Sequence, residues 1–97
     1  MARILVVDDD EGVRSFIAEA LETSGHQVTE AGSGEEAMRS LQAHSYQLLI
    51  TDLRMPGQGG MALLRQARSL WPELELIVLT AFGTVQSAVE AMKLGAF

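Results

Sequence analysis

The chain has 97 residues, of which 47% are hydrophobic and 21% charged, the composition of one small globular domain and not of a disordered segment. Thirteen Asp and Glu against seven Lys and Arg leave a net charge of −6, which argues against direct binding of nucleic acid or an anionic membrane, since both need clustered cations. There is no cysteine, so disulfides, thiolate metal sites and cysteine nucleophiles are excluded.

Residues 4–7, Ile-Leu-Val-Val, form the first apolar run and lead into Asp8, Asp9 and Asp10. A continuous β-branched run of this length is the pattern of a strand buried on both faces, as in a parallel sheet, and is far too short for a signal peptide or a membrane span. Residues 11–24 place Val13, Phe16, Ile17, Ala20 and Leu21 at the spacing of one helical face. Asp9 or Asp10 can cap the start of that helix, and Gly25 can end it. Residues 27–31 read as a short strand. Ser33 then caps a second helix with Glu35 and Glu36 in its first turn, where the dipole favours anions. Its expected buried positions are Ala37, Met38 and Leu41.

Residues 48–51 are the next buried run and lead into Asp52. Residues 54–60 contain one Pro and three Gly and read as a loop. A third helix over 61–70 has Leu63, Leu64, Ala67 and Leu70 on one face and is broken by Trp71-Pro72. Residues 76–79 are the last buried run and lead into Thr80. Thr84 can cap a final helix with Val85, Ala88, Val89 and Met92 inward and Gly95 after it.

This β-α-β-α-β-α-β-α alternation implies a parallel sheet with helices on both faces. Ligands of such sheets bind beyond the carboxyl ends of the strands, where Asp8, Asp9, Asp10, Asp52 and Thr80 stand. Singly, each has a plain structural explanation: aspartates before a helix are caps, and a threonine ending an apolar strand is a strand residue. Together they make one pocket of carboxylates and a hydroxyl. Crowded carboxylates repel unless a cation joins them, and all-oxygen ligands suit a hard cation such as Mg²⁺. A carboxylate beside Mg²⁺ can act as a nucleophile toward phosphorus, and Thr80 is placed to donate to a phosphoryl oxygen. Pulling Thr80 toward a new phosphate would move the loop that follows it.

With these residues in order, the chain resembles the receiver domains of two-component response regulators. The resemblance rests on residues 4–10 (ILVVDDD), 48–57 (LLITDLRMPG), 77–81 (IVLTA) and 88–96 (AVEAMKLGA), and covers the whole chain as a single domain, 1–97. It implies a flavodoxin-like, doubly wound parallel sheet in strand order 2-1-3-4. It also implies that Asp52 accepts phosphate from a sensor histidine kinase and that Asp8, Asp9, Asp52 and the backbone carbonyl of Arg54 hold Mg²⁺. Thr80 is then the switch hydroxyl, and the backbone N–H of Ala81 lines the phosphate site. The implied setting is the bacterial cytoplasm, in a regulatory domain that is not a turnover enzyme. The segment Phe82-Gly83-Thr84 is most similar to receivers of enhancer-binding transcription activators, which implies an output domain in a longer parent chain. On the first helix, Arg14, Ser15 and Ala18 are candidate kinase contacts by resemblance.

The chain departs from the family in lacking the fifth βα unit and the lysine that ends its strand; its one lysine, Lys93, stands in the last helix. The expectation is therefore a receiver incomplete at its C-terminus, with residues 76–79 at a sheet edge that favours self-association. Gly59 also stands where the family often has Asp. Two alternatives stay open. One is a receiver-like interaction module that is not phosphorylated. The other is a Mg²⁺-dependent aspartyl-phosphate hydrolase of the haloacid-dehalogenase type with Asp8 as nucleophile, although Gly12 stands where that motif wants Thr or Val. His26 and His44 lie away from the strand ends and read as loop or helix-end residues.

Overall fold

The computed structural model describes residues 2–53, 59–79, 92, 93 and 95. In chain order they form β1 (Arg3–Val7), α1 (Glu11–Thr23), β2 (Gln27–Ala31), α2 (Gly34–Ala43), β3 (Leu48–Thr51), α3 (Gly60–Leu70) and β4 (Glu75–Val78). The expected last helix lies outside the described residues except for Met92, Lys93 and Gly95, and Met92, expected to point inward, is 69% exposed. The four strands form one parallel sheet in the order β2-β1-β3-β4, as the resemblance implies.

The apolar runs become strands because both faces of the sheet are covered. On one face Leu5, Val7, Leu49 and Leu76 pack with Ala37 and Leu41 of α2 and Leu63, Leu64 and Ala67 of α3. On the other, Ile4, Val6 and Ile50 pack under Ile17 and Leu21 of α1. Central β1 contributes to both layers, so Ile4 to Val7 are all buried with no alternation.

The caps follow the sequence closely. Asp10 is the residue that caps α1, accepting from the Val13 amide at 3.1 Å. Gly25 closes that helix end at φ +91°, a conformation glycine adopts without strain. Ser33 accepts from the Glu36 amide, and the Glu36 carboxylate accepts from the Gly32 amide. The Ser33-to-Glu36 spacing is a capping-box signature. Gly59 gives α3 no side-chain cap.

Three further expectations need correction. The inward stripe of α1 is not the one assigned from periodicity: Phe16 is 75% exposed and Val13 45% exposed, Ala20 is exposed, and Ala18 is buried. At about 100° per residue, positions 14, 17, 18 and 21 share one stripe, and 13, 16 and 20 the adjoining one. The first stripe faces the sheet, with Ile17 and Leu21 packed on it and Arg14 bonded at the ends of β1 and β2. Leu70 is 56% exposed, on the last turn of α3 beyond the layer packed on the sheet. Finally, β4 begins and ends one residue earlier than expected, leaving Leu79 half exposed just past the strand.

Candidate metal centre

Register places the acids. Val7 pairs with Thr51 across β1 and β3, so Asp8 and Asp52 are the next residue on two adjacent parallel strands. The ladder continues one rung past the strands: the Asp52 amide donates to the Val7 carbonyl at 3.1 Å and the Asp8 amide to the Ala31 carbonyl at 3.2 Å. Strand alternation then puts the Asp8 and Asp52 positions on the same side as Val6 and Ile50, the face covered by α1.

Asp8, Asp9 and Asp52 each contribute one carboxylate oxygen to a group whose members all lie within 4.8 Å of one another. Asp8 is 7% exposed, Asp52 is half-buried and Asp9 is exposed, so the cluster opens to solvent on the Asp9 side. The donor set fits a hard divalent cation. Bonds of 2.0–2.1 Å to Mg²⁺ separate its ligand oxygens by about 3–4 Å, a small contraction from the separation found, and the open side leaves room for water or phosphate oxygens. Burial raises the Asp8 carboxyl above its ordinary value, opposed by the Asp10 amide and reinforced by the charges of Asp52 and Asp9. A bound cation would relieve that penalty.

Asp10 does not belong to the cluster; it caps α1 with its side chain, and its amide donates to Asp8 Oδ1 at 2.9 Å. Arg54, Thr80 and Ala81 lie outside the described residues. His26 and His44 are both at the other end of the sheet. His26 Nδ1 accepts from the Ala2 amide at 3.0 Å, and His44 is the exposed C-cap of α2. Trp71 packs against the α2/α3 core layer.

The first helix differs from expectation at two candidate kinase contacts. Ala18 is 2% exposed and faces the sheet. Arg14 Nη1 donates to the Asp8 carbonyl at 2.9 Å and Nε to Glu30 Oε1 at 3.0 Å. Ser15 is exposed, and its Oγ donates to the same Glu30 oxygen at 3.3 Å. Sequence reasoning gave Arg14 no place in the acidic pocket and Glu30 no role. The available signal was a cation one helical turn past the aspartates, facing an acid at the end of the neighbouring strand. Gly60 was also missed: its amide donates to the Leu53 carbonyl at 3.2 Å, directly beneath Asp52.

No helix among the described residues is long and apolar enough to cross a membrane. Residues 4–97 match the family model described as the response regulator receiver domain. The chain is 38% identical over 95 residues to the response regulator protein FleR of Pseudomonas aeruginosa, covering 98% of this chain and 20% of FleR. It is 37% identical over 94 residues to the DNA-binding transcriptional regulator NtrC of Escherichia coli, covering 97% of this chain and 20% of NtrC. The chain thus spans about one fifth of the length of these relatives. Among solved structures, the response regulator protein TrrA of Thermotoga maritima, in complex with Mg²⁺-BeF, superposes with a TM-score of 0.89 at 32% identity, over 99% of this chain and 84% of TrrA.

Proposed function

The chain belongs to the response regulator receiver domain family, and from that premise we propose that residues 1–97 act as one phosphoacceptor module, with Asp52 taking a phosphoryl group from a histidine kinase. The observation that carries this reading is the meeting of Asp8, Asp9 and Asp52 within 4.8 Å at the carboxyl ends of adjacent strands. A carboxylate oxygen of Asp52 attacks phosphorus, the P–N bond to the kinase histidine breaks, and an acyl phosphate forms while the imidazole nitrogen recovers its electron pair. Asp8 and Asp9 with Asp52 would hold Mg²⁺, joined by the carbonyl of Arg54. The ion supplies charge neutralisation for the transferring phosphoryl group. Support for this metal comes from the three-carboxylate donor set and from the Mg²⁺-BeF complex of TrrA.

Thr80 as switch hydroxyl and Ala81 as backbone donor complete the proposal. So do the cytoplasmic setting, a regulatory and non-turnover role, and an output domain of the kind found in transcription regulators such as NtrC. The edge position of β4 among the described strands supports self-association at high concentration; sedimentation that stays strictly monomeric would count against it.

The test is reaction with acetyl phosphate and Mg²⁺ followed by peptide mapping. Phosphate on Asp52, lost in Asp52→Asn, is the expected result. Phosphate on Asp8 would replace the reading with the hydrolase, and a folded chain with no Mg²⁺ response would replace it with a non-switching interaction module.

A further inference from the structure

Arg14 reaches the peptide of Asp8, one of the three clustered acids, and its guanidinium donates to the Asp8 carbonyl and to Glu30 on β2. Its side chain is 18% exposed, wedged where α1, β1 and β2 meet. A Cβ placed on Gly32 would lie 3.2 Å from Nη1, so the β2–α2 connection closes the seat tightly. The same residue also acts through its backbone, because the Arg14 amide donates to the Asp10 carbonyl at 3.0 Å. Residues 8–10 are therefore closed into a ring. The Asp8 carboxylate holds the Asp10 amide, Asp10 caps α1 at Val13, and Arg14 of α1 returns to Asp8.

We propose that Arg14 is a positioning residue for the acidic pocket: it fixes the Asp8 peptide, and with it the Asp8–Asp9 pair, in the arrangement that receives Mg²⁺. Glu30 is its partner in this role. By pairing with Nε it holds the guanidinium on the carbonyl. Residues behind metal ligands that fix ligand orientation typically change metal affinity by about 10–100-fold when removed. A lysine in place of Arg14 offers a point charge and no planar fork, so it makes one of the two contacts and not both. The inference rests on reading Asp8 and Asp9 as metal ligands.

The experiment is a Mg²⁺ titration read by two-dimensional amide NMR on the 97-residue chain, with Arg14→Met, Arg14→Lys, Glu30→Gln and Leu21→Ala compared with the parent. Arg14→Met is expected to raise half-saturation about tenfold and to move the Asp9 and Asp10 amides before metal is added. Arg14→Lys restores part of the affinity, and Glu30→Gln shifts it in the same direction by less. Leu21→Ala, on the same helix but packed on the sheet, lowers stability and leaves half-saturation within about twofold. Parent-like affinity in Arg14→Lys and Glu30→Gln, with Arg14→Met either parent-like or unfolded, would overturn the proposal. So would an equal loss in Leu21→Ala. If the parent chain itself shows no saturable response, the metal-site reading fails, and that outcome is visible without any variant.

Discussion

Gly60 lies so close to Asp52 that no side chain fits between them: a Cβ built on Gly60 would fall 2.9 Å from the Asp52 carbonyl carbon and 2.7 Å from Leu53 Cα. These are backbone atoms of the segment that carries the central acid, so they cannot rotate away as a side-chain tip would. The first turn of α3 is thereby seated directly on the end of β3.

Gly60→Ala must therefore shift either α3 or the Asp52–Leu53 segment. The expected loss of stability is about 1–3 kcal/mol, the range for forcing extra atoms into a packed site. It is read as a lower urea midpoint with little change in slope. Amide shifts centred on Asp52 and Leu53 should accompany it. Gly59→Ala is the contrast, since the nearest atom to a Cβ there is the Leu53 carbonyl oxygen at 3.7 Å, an ordinary contact. Its stability should stay within about 0.5 kcal/mol of the parent.

The three consecutive aspartates should separate cleanly by function. Asp10→Ala removes the side-chain acceptor for the Val13 amide and should destabilise by about 0.5–2 kcal/mol. Its backbone amide still donates to Asp8, so Mg²⁺ affinity should change by no more than about threefold, well under one decade, or about 1.4 kcal/mol. Asp9→Ala should do the reverse, leaving thermal stability near that of the parent and abolishing a saturable Mg²⁺ response. Calorimetry and thermal melts on the same two samples check both halves.

Phe16 tests the rotation of α1. At 75% exposed it contributes little packing, so Phe16→Ser in this chain should alter stability by less than about 0.5 kcal/mol. Were Phe16 an inward residue, as the apolar spacing alone suggests, the loss would be several-fold larger, about 3–5 kcal/mol. Equilibrium urea denaturation separates the two values easily.

The difference between expectation and structure on α1 shows what an isolated sequence can carry. Five apolar residues within nine positions define an arc wider than one face, and hydrophobic spacing alone does not choose an edge of it. The buried edge is marked by Arg14, whose partners Asp8 and Glu30 lie six and sixteen residues away and meet it only once β1 and β2 are paired. β1, β3 and β4 were legible because burial leaves nearly uninterrupted apolar runs, and β2 and β3 have the expected bounds. The acid cluster was legible for a related reason: parallel register carries strand ends to one edge, so residues following buried runs become neighbours. What periodicity does not encode is close backbone approach. Gly60 looked like one of several loop glycines, and only the packing of α3 on Asp52 distinguishes it.

Asp8 links the fold to its proposed ligand through pH. Burial, and then the charges of Asp52 and Asp9, hold its carboxyl above the ordinary 3.8 against the opposing Asp10 amide. The folded chain thus binds this proton more tightly than the unfolded chain does. Stability falls as pH rises from the unfolded value through the raised folded one, and the penalty is constant above that. Asp8→Asn keeps an oxygen for the Asp10 amide and removes the charge. Without metal it should be more stable than the parent at pH 7, and the advantage should fade as pH drops past 3.8 and vanish by about pH 3, where Asp8 is protonated in both states of the parent. Adding Mg²⁺ should reverse the ranking. At one hundred times the dissociation constant a ligand stabilises the folded state by about 2.7 kcal/mol, and only the parent, with all three carboxylates, gains it. Thermal melts at about pH 3 and pH 7, each with and without Mg²⁺, give the comparison directly. An Asp8→Asn variant less stable than the parent in metal-free buffer at pH 7 would show that Asp8 supports the fold, contrary to the strain inferred from its burial.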